Sequence, residues 1–149
     1  MKTLVVYLGI LLLSPYLSNG QVIDRSLGND PDFRQAFSQL IRYPAAAQRA
    51  EKVAKAYVEF KVDSQGKVTD VQVLNQANVD ASFKEEVNRL MSQLPAQKQA
   101  YTGTYVLPIV FELEGSERVI KPQEEERSFI ESLPKGLLLE GAYVVAYLN

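Results

Sequence analysis

Ala56-Tyr57-Val58-Glu59-Phe60-Lys61-Val62-Asp63-Ser64-Gln65-Gly66-Lys67-Val68 is the stretch on which the fold turns. Val58, Phe60 and Val62 fall on one face and Tyr57, Glu59 and Lys61 on the other, the period-two pattern of a half-buried strand. Asp63-Ser64-Gln65-Gly66 supplies turn chemistry, with Gly66 free to adopt positive φ. Residues 68–74 then return as a second strand. Asp63 and Gly66 do not make a calcium loop, which needs further oxygen ligands at alternate positions and a distal Glu. The reading is a β-hairpin.

Downstream of the hairpin, Asp80 is placed to cap a helix in which Phe83, Val87, Leu90, Met91 and Leu94 recur at helical spacing, a stripe that faces a core. Pro95 stops that helix. Glu85 and Glu86 fail as an acid/base pair, because adjacent helical residues diverge by about 100°. They complement the helix dipole instead. A third strand is predicted over 104–113, with Tyr105, Leu107, Ile109, Phe111 and Leu113 on one face. Pro108 removes a ladder donor, so this strand is expected at an edge or with a bulge.

Upstream, Asp30-Pro31 is an N-cap followed by proline at the first helical position. Phe33, Phe37, Leu40 and Ile41 then form one apolar face. Pro44 biases Tyr43 away from helical dihedrals and suits the first position of a short alanine-rich helix running to about Lys52.

Composition narrows the chemistry. The chain has 149 residues, 46% hydrophobic and 23% charged, with a net charge of −2, as ordinary globular domains do. It has no basic stripe for nucleic acid. It has no His and no Cys, which removes the commonest proton-transfer group and metal ligand as well as thiol chemistry and Cys-based metal centres. None of its serines lies in a Gly-x-Ser-x-Gly elbow, and no His could act as their base. A hydrolase is therefore remote; neither a catalytic residue, a metal nor a cofactor is expected.

The N-terminus points to export. Lys2 precedes an apolar run over 4–13 interrupted by Gly9, then come Ser14, Pro15 and the small-residue step Ser18-Asn19-Gly20. That pattern predicts a signal peptide over 1–20, cleaved before Gln21. A retained inner-membrane anchor is the alternative, although spanning takes about 20 apolar residues. With no Cys, lipid anchoring of a lipoprotein is excluded.

The order of these signposts resembles the C-terminal domain of TonB. Tyr43-Pro44 followed by Ala47 and Arg49-Ala50 is similar to that family's opening signature. The strand from Tyr57 to Asp63, then Gly66-Lys67-Val68, Val71 and Val73, is similar to its hairpin. The likeness continues through Asp80, Leu94-Pro95-Ala96, Gly103 and Leu107-Pro108-Ile109-Val110-Phe111. The resemblance implies an α+β fold, a three-stranded antiparallel sheet with two helices packed on one face. Tyr43, Pro44, Asp63 and Gly66 are its signature positions here. It also implies a non-catalytic function, in which a sheet edge accepts an extended receptor segment as an added strand. The edge expected to bind is Thr104-Tyr105-Val106-Leu107-Pro108-Ile109-Val110-Phe111. The partners expected are proteins, TonB-dependent outer-membrane receptors foremost. Nucleic acid is not among them, and a homodimer is left open.

The remaining architecture divides as a leader over 1–20, an N-terminal arm with a short helix over 21–42, a TonB-like domain over 43–114 and an extension over 115–149. Transducers resembling TonB keep a membrane helix and a long Pro-rich spacer. Here the arm holds one proline and would reach roughly 70 Å at most when fully extended. The expectation is thus a periplasmic protein-binding module, with a membrane-anchored, TonB-like energy transducer as the alternative. The extension is acidic at first, with a short helix expected near 124–133 and breakers at Pro134 and Gly136. Residues 137–148 carry one charge, Glu140. Tyr143-Val144-Val145-Ala146-Tyr147-Leu148 suits strand geometry and could cover an edge of the sheet.

Overall fold

The computed structural model of the protein describes residues 5–7, 25–118, 120, 124–133 and 137–148. The elements run β1 (Val5–Tyr7), α1 (Arg25–Gly28), α2 (Pro31–Leu40), α3 (Ala45–Arg49), β2 (Ala54–Val62), β3 (Val68–Val73), α4 (Ala81–Gln93), β4 (Gly103–Glu114), α5 (Glu124–Ser132), β5 (Leu137–Leu138) and β6 (Ala142–Tyr147). The cleavage step at Ser18-Asn19-Gly20 and the breakers Pro134 and Gly136 lie outside the described residues.

The α+β expectation holds, and the hairpin forms where its pattern put it. β2 and β3 pair antiparallel, with Val58 opposite Val73 and Val62 opposite Val68. The pairing slips between Glu59 and Lys61. Two residues of β3, Asp70 and Val71, oppose Phe60 there, and Asp70 sits at φ 52, a left-handed conformation that Asp tolerates better than most residues. In the turn, Gly66 has φ 80, and a Cβ there would stand 1.9 Å from the Gln97 carbonyl oxygen. Only glycine fits, because the Gln97 N–H bonds the Gly66 carbonyl at 2.7 Å.

The sheet is larger than the three strands expected. Its order is β1-β6-β4-β2-β3, with β5 also on β4. β4 pairs antiparallel with β2 from Gly103 to Phe111 and, on its other side, parallel with β5 and β6. It is an interior strand, which corrects the expectation that Pro108 places it at an edge or a bulge. The reason is local. The Val106 carbonyl accepts from Leu139 N–H at 2.8 Å, so alternate residues Val106, Pro108 and Val110 direct their backbone groups to that side. Pro108 therefore faces the interval between the end of β5 and the start of β6. The donor it lacks is missing where the ladder is already broken.

A parallel partner requires a crossover, and α5 supplies it on the sheet's second face. α2 and α4 cover the first face over Val58, Phe60, Leu107, Ile109 and Phe111. Under α5, Phe129, Ile130 and Leu133 pack with Tyr57, Val106 and Leu138. Helices thus cover both faces rather than one, which explains why β4 is buried continuously from Tyr105 to Phe111. The arm contributes Leu27, Phe33 and Phe37 to the main core, and the extension contributes Leu139, Ala142, Val144 and Ala146.

The helix signals act as read. Asp30 caps α2 by accepting from Asp32 N–H at 2.9 Å and Phe33 N–H at 3.2 Å. Asp80 caps α4 through Ser82 N–H at 3.1 Å. Phe83, Val87, Leu90 and Met91 are buried, and Leu94 packs half-buried at the core's margin.

Candidate partner-binding surface

The signature residues come to rest as structural devices. Tyr43 is buried and stands edge-on to Phe83 and Phe111, with ring centroids 5.7 and 5.8 Å away. Its hydroxyl donates to the Lys52 carbonyl, closing the turn around α3, and burial pushes its pKa up. Pro44 is the N-cap of α3, one place earlier than its expected position. The Asp63 carboxylate accepts from Gln65 N–H at 2.8 Å and Lys67 N–H at 2.9 Å, which fixes the hairpin turn. These four residues build the fold around the sheet rather than a shared site.

The expected binding strand is divided between two faces. Tyr105, Leu107, Ile109 and Phe111 enter the main core. Val106, Pro108 and Val110 are also buried, and Thr104 is half-buried. Both sides of the β4 backbone are paired, so an added strand meets no free edge there in this structure.

Charged clusters do structural work. Glu86, expected to complement the helix dipole, is buried and accepts from Arg42 N–H at 2.6 Å and Arg89 Nε at 2.9 Å. Sequence periodicity places it on the helix but cannot reveal a partner 44 residues away. Tyr57 donates its hydroxyl to Glu126, which also pairs with Lys55, while the Tyr57 and Phe129 rings lie 5.1 Å apart. Burial, and then the Glu126 carboxylate, raise the Tyr57 hydroxyl's pKa. These contacts fasten α5 to the sheet. Among the described residues no cluster of acids has the arrangement of a metal site, and no helix is long and apolar enough to cross a membrane.

What the architecture leaves for a partner is the rim of the sheet. One margin is β3, whose ladder is broken by the bulge at Asp70 and carries the exposed Lys61–Asp70 ion pair at 3.0 Å. Bulges and charges of this kind discourage strand addition. At the opposite side the outermost strand is the three-residue β1, and beneath it lies β6, uncharged from Ala142 to Tyr147. Leu148 N–H bonds the Glu114 carbonyl at 3.1 Å, so even-numbered residues of β6 face β4. Tyr143, Val145 and Tyr147 direct their backbone groups outward. β1 lies on that margin, antiparallel, with Val5 opposite Val145 and Tyr7 opposite Tyr143. The sequence signal for this edge was the strand character of 143–148; its parallel partner left no local mark.

Residues 39–113 match the family described as the Gram-negative bacterial TonB protein C-terminal, over half of the chain. No match was found among curated proteins or among solved structures.

Proposed function

We propose, from the premise that this chain belongs to the TonB C-terminal family, that it is an exported protein-binding module serving outer-membrane-receptor-linked transport. The family is a non-enzymatic protein-interaction domain of the cell envelope. In this reading residues 1–20 act as a leader, and the domain works in the periplasm. Partner segments join the sheet as added strands, with main-chain hydrogen bonds supplying affinity and side-chain contacts supplying selectivity.

The observation that carries the reading is the family match over 39–113. A sequence without His or Cys agrees with a function that needs no catalytic side chain. Thr104 to Phe111 can serve as the receiving strand only if β5 and β6 leave β4, whereas the outer edge of β6 is covered only by the three residues of β1.

The test is affinity capture from envelope extract with the exported protein as bait. Receptors of the outer membrane should be enriched, and N-terminal sequencing should begin at Gln21. Enrichment of inner-membrane motor subunits with an intact N-terminus in washed membranes would favour an anchored transducer. Capture of neither class overturns the proposal.

A further inference from the structure

We infer that the outer edge of β6 is the partner-strand site, and that Val5–Tyr7 occupies it as an internal stand-in for the segment it takes. The inference rests on the strand-addition reading above and assigns that reading a place.

Three alternatives exist around the sheet, and two are closed. The free side of β4 is filled along Tyr105–Val106 by β5 and from Ile109 to Glu114 by β6. The β3 margin has the Asp70 bulge. β6 keeps an uncharged margin whose Tyr143 and Val145 direct N–H and C=O groups outward, and these residues are directly opposite Tyr7 and Val5. The margin has a defined end, because Gln48 Nε2 donates to the Tyr147 carbonyl at 2.9 Å. An incoming strand is thereby limited to the Tyr143–Val145 part of the edge.

The occupant's chemistry follows from the strand already seated there. Val5-Val6-Tyr7 is uncharged, β-branched and aromatic, the residue types that fit a pleated surface. Val145 is buried and Tyr143 half-buried, so the edge is flanked by apolar surface. Tyr147 is the exposed large hydrophobic side chain among the described residues. The partner is accordingly an extended, uncharged segment of β-branched and aromatic residues, running antiparallel to β6. A three-residue strand gains little pairing by itself. Its tether raises its local concentration to about the millimolar range, so removal of the leader, or a longer competing segment, opens the edge.

The probe is a fluorescent peptide copying residues 3–9, flanked by lysines for solubility. A chain beginning at Gln21 retains every described residue of the main core, Leu27 being the first of these. It should bind the peptide saturably, and the full chain about tenfold more weakly because its own β1 competes. Val145→Pro removes an outward N–H and no bond to β4, so it should weaken binding about tenfold, the worth of one lost hydrogen bond. Val145→Thr, which keeps the donor, should bind normally, with circular dichroism melting checking the fold of both. In the full chain, Val5→Pro should release β1 and restore binding to the level of the shorter chain, a result that does not depend on Val145→Pro folding. Absence of peptide binding, or equal binding by the shorter chain with and without Val145→Pro, overturns the inference. Envelope partners captured equally by Val145→Pro would overturn the edge while leaving the proposed function standing. Peptide binding at the edge without any envelope partner would support the edge and overturn that function.

Discussion

The Asp30 carboxylate lies 2.6 Å from the Lys98 ammonium and 2.8 Å from the Tyr101 hydroxyl while it caps α2. One buried side chain thereby ties the N-terminal arm to the loop between α4 and β4. The Lys98 contact, helped by Tyr101 and the capping N–H groups, outweighs burial and holds the Asp30 pKa at about 2 instead of 3.8. A folded-state pKa below the unfolded value stabilises the fold fully above about pH 4, and the contribution disappears as pH falls through 3.8 toward 2. Asp30→Asn keeps a good capping residue and removes the charge. It should lower stability by about 1 kcal/mol at pH 7 and by much less at pH 2.5. Urea midpoints of both proteins at the two pH values check this, and the comparison separates Asp30 from Asp80, whose pKa Lys52 also lowers to about 2. An equal difference at both pH values would contradict the assignment.

Gly66→Ala should be severe for two reasons that act together. The position needs φ 80, and the added methyl would collide with the Gln97 carbonyl oxygen at 1.9 Å. Backbone strain of this type costs about 1–3 kcal/mol before the collision is counted. We expect a loss of at least about 2 kcal/mol in denaturant titration, against almost none for Ser64→Ala in the same turn. Equal effects of the two substitutions would mean that the turn and the 95–97 loop are not packed together.

Leu90→Ala should cost about 2–5 kcal/mol, as large-to-small changes in a packed core do, because Leu90 is fully buried under the sheet. Leu94→Ala should cost less, since Leu94 packs half-buried at the end of the stripe. A loss below about 0.5 kcal/mol for Leu90→Ala in a denaturant titration would show that this face is exposed in solution.

These sites also mark how far the sequence could be read. Asp30-Pro31, Asp80 and the Phe83-to-Met91 stripe are local signals, and local geometry was enough to interpret them. Gly66 announced a positive φ, but not the Gln97 backbone that makes it obligatory. Pro108 signals a missing donor, which points to an edge or a bulge, whereas the structure aims that vacancy at the interval between β5 and β6. The burial of Glu86 and the pairing of β4 with β6 depend on partners distant in sequence. Helical and strand periodicities carry no information about them. The tail had the right composition for a strand, but its position in the sheet follows from the α5 crossover.

Deleting residues 137–149 should convert the interior β4 into a long open edge. β5 and β6 together cover its free side over Tyr105–Val106 and Ile109–Glu114, and residues 139–146 bring Leu139, Ala142, Val144 and Ala146 into the main core. Their loss would uncover both backbone donors and apolar side chains along one strand, the combination that drives edge-to-edge association. The shortened protein should have a lower denaturation midpoint, and its light scattering should rise with protein concentration. Val144→Ala is the control, because it removes two buried methyl groups without opening the edge. It should cost about 2 kcal/mol and leave the association state unchanged. A shortened protein with unchanged stability and unchanged scattering would mean that β5 and β6 do not hold the edge of β4 in solution.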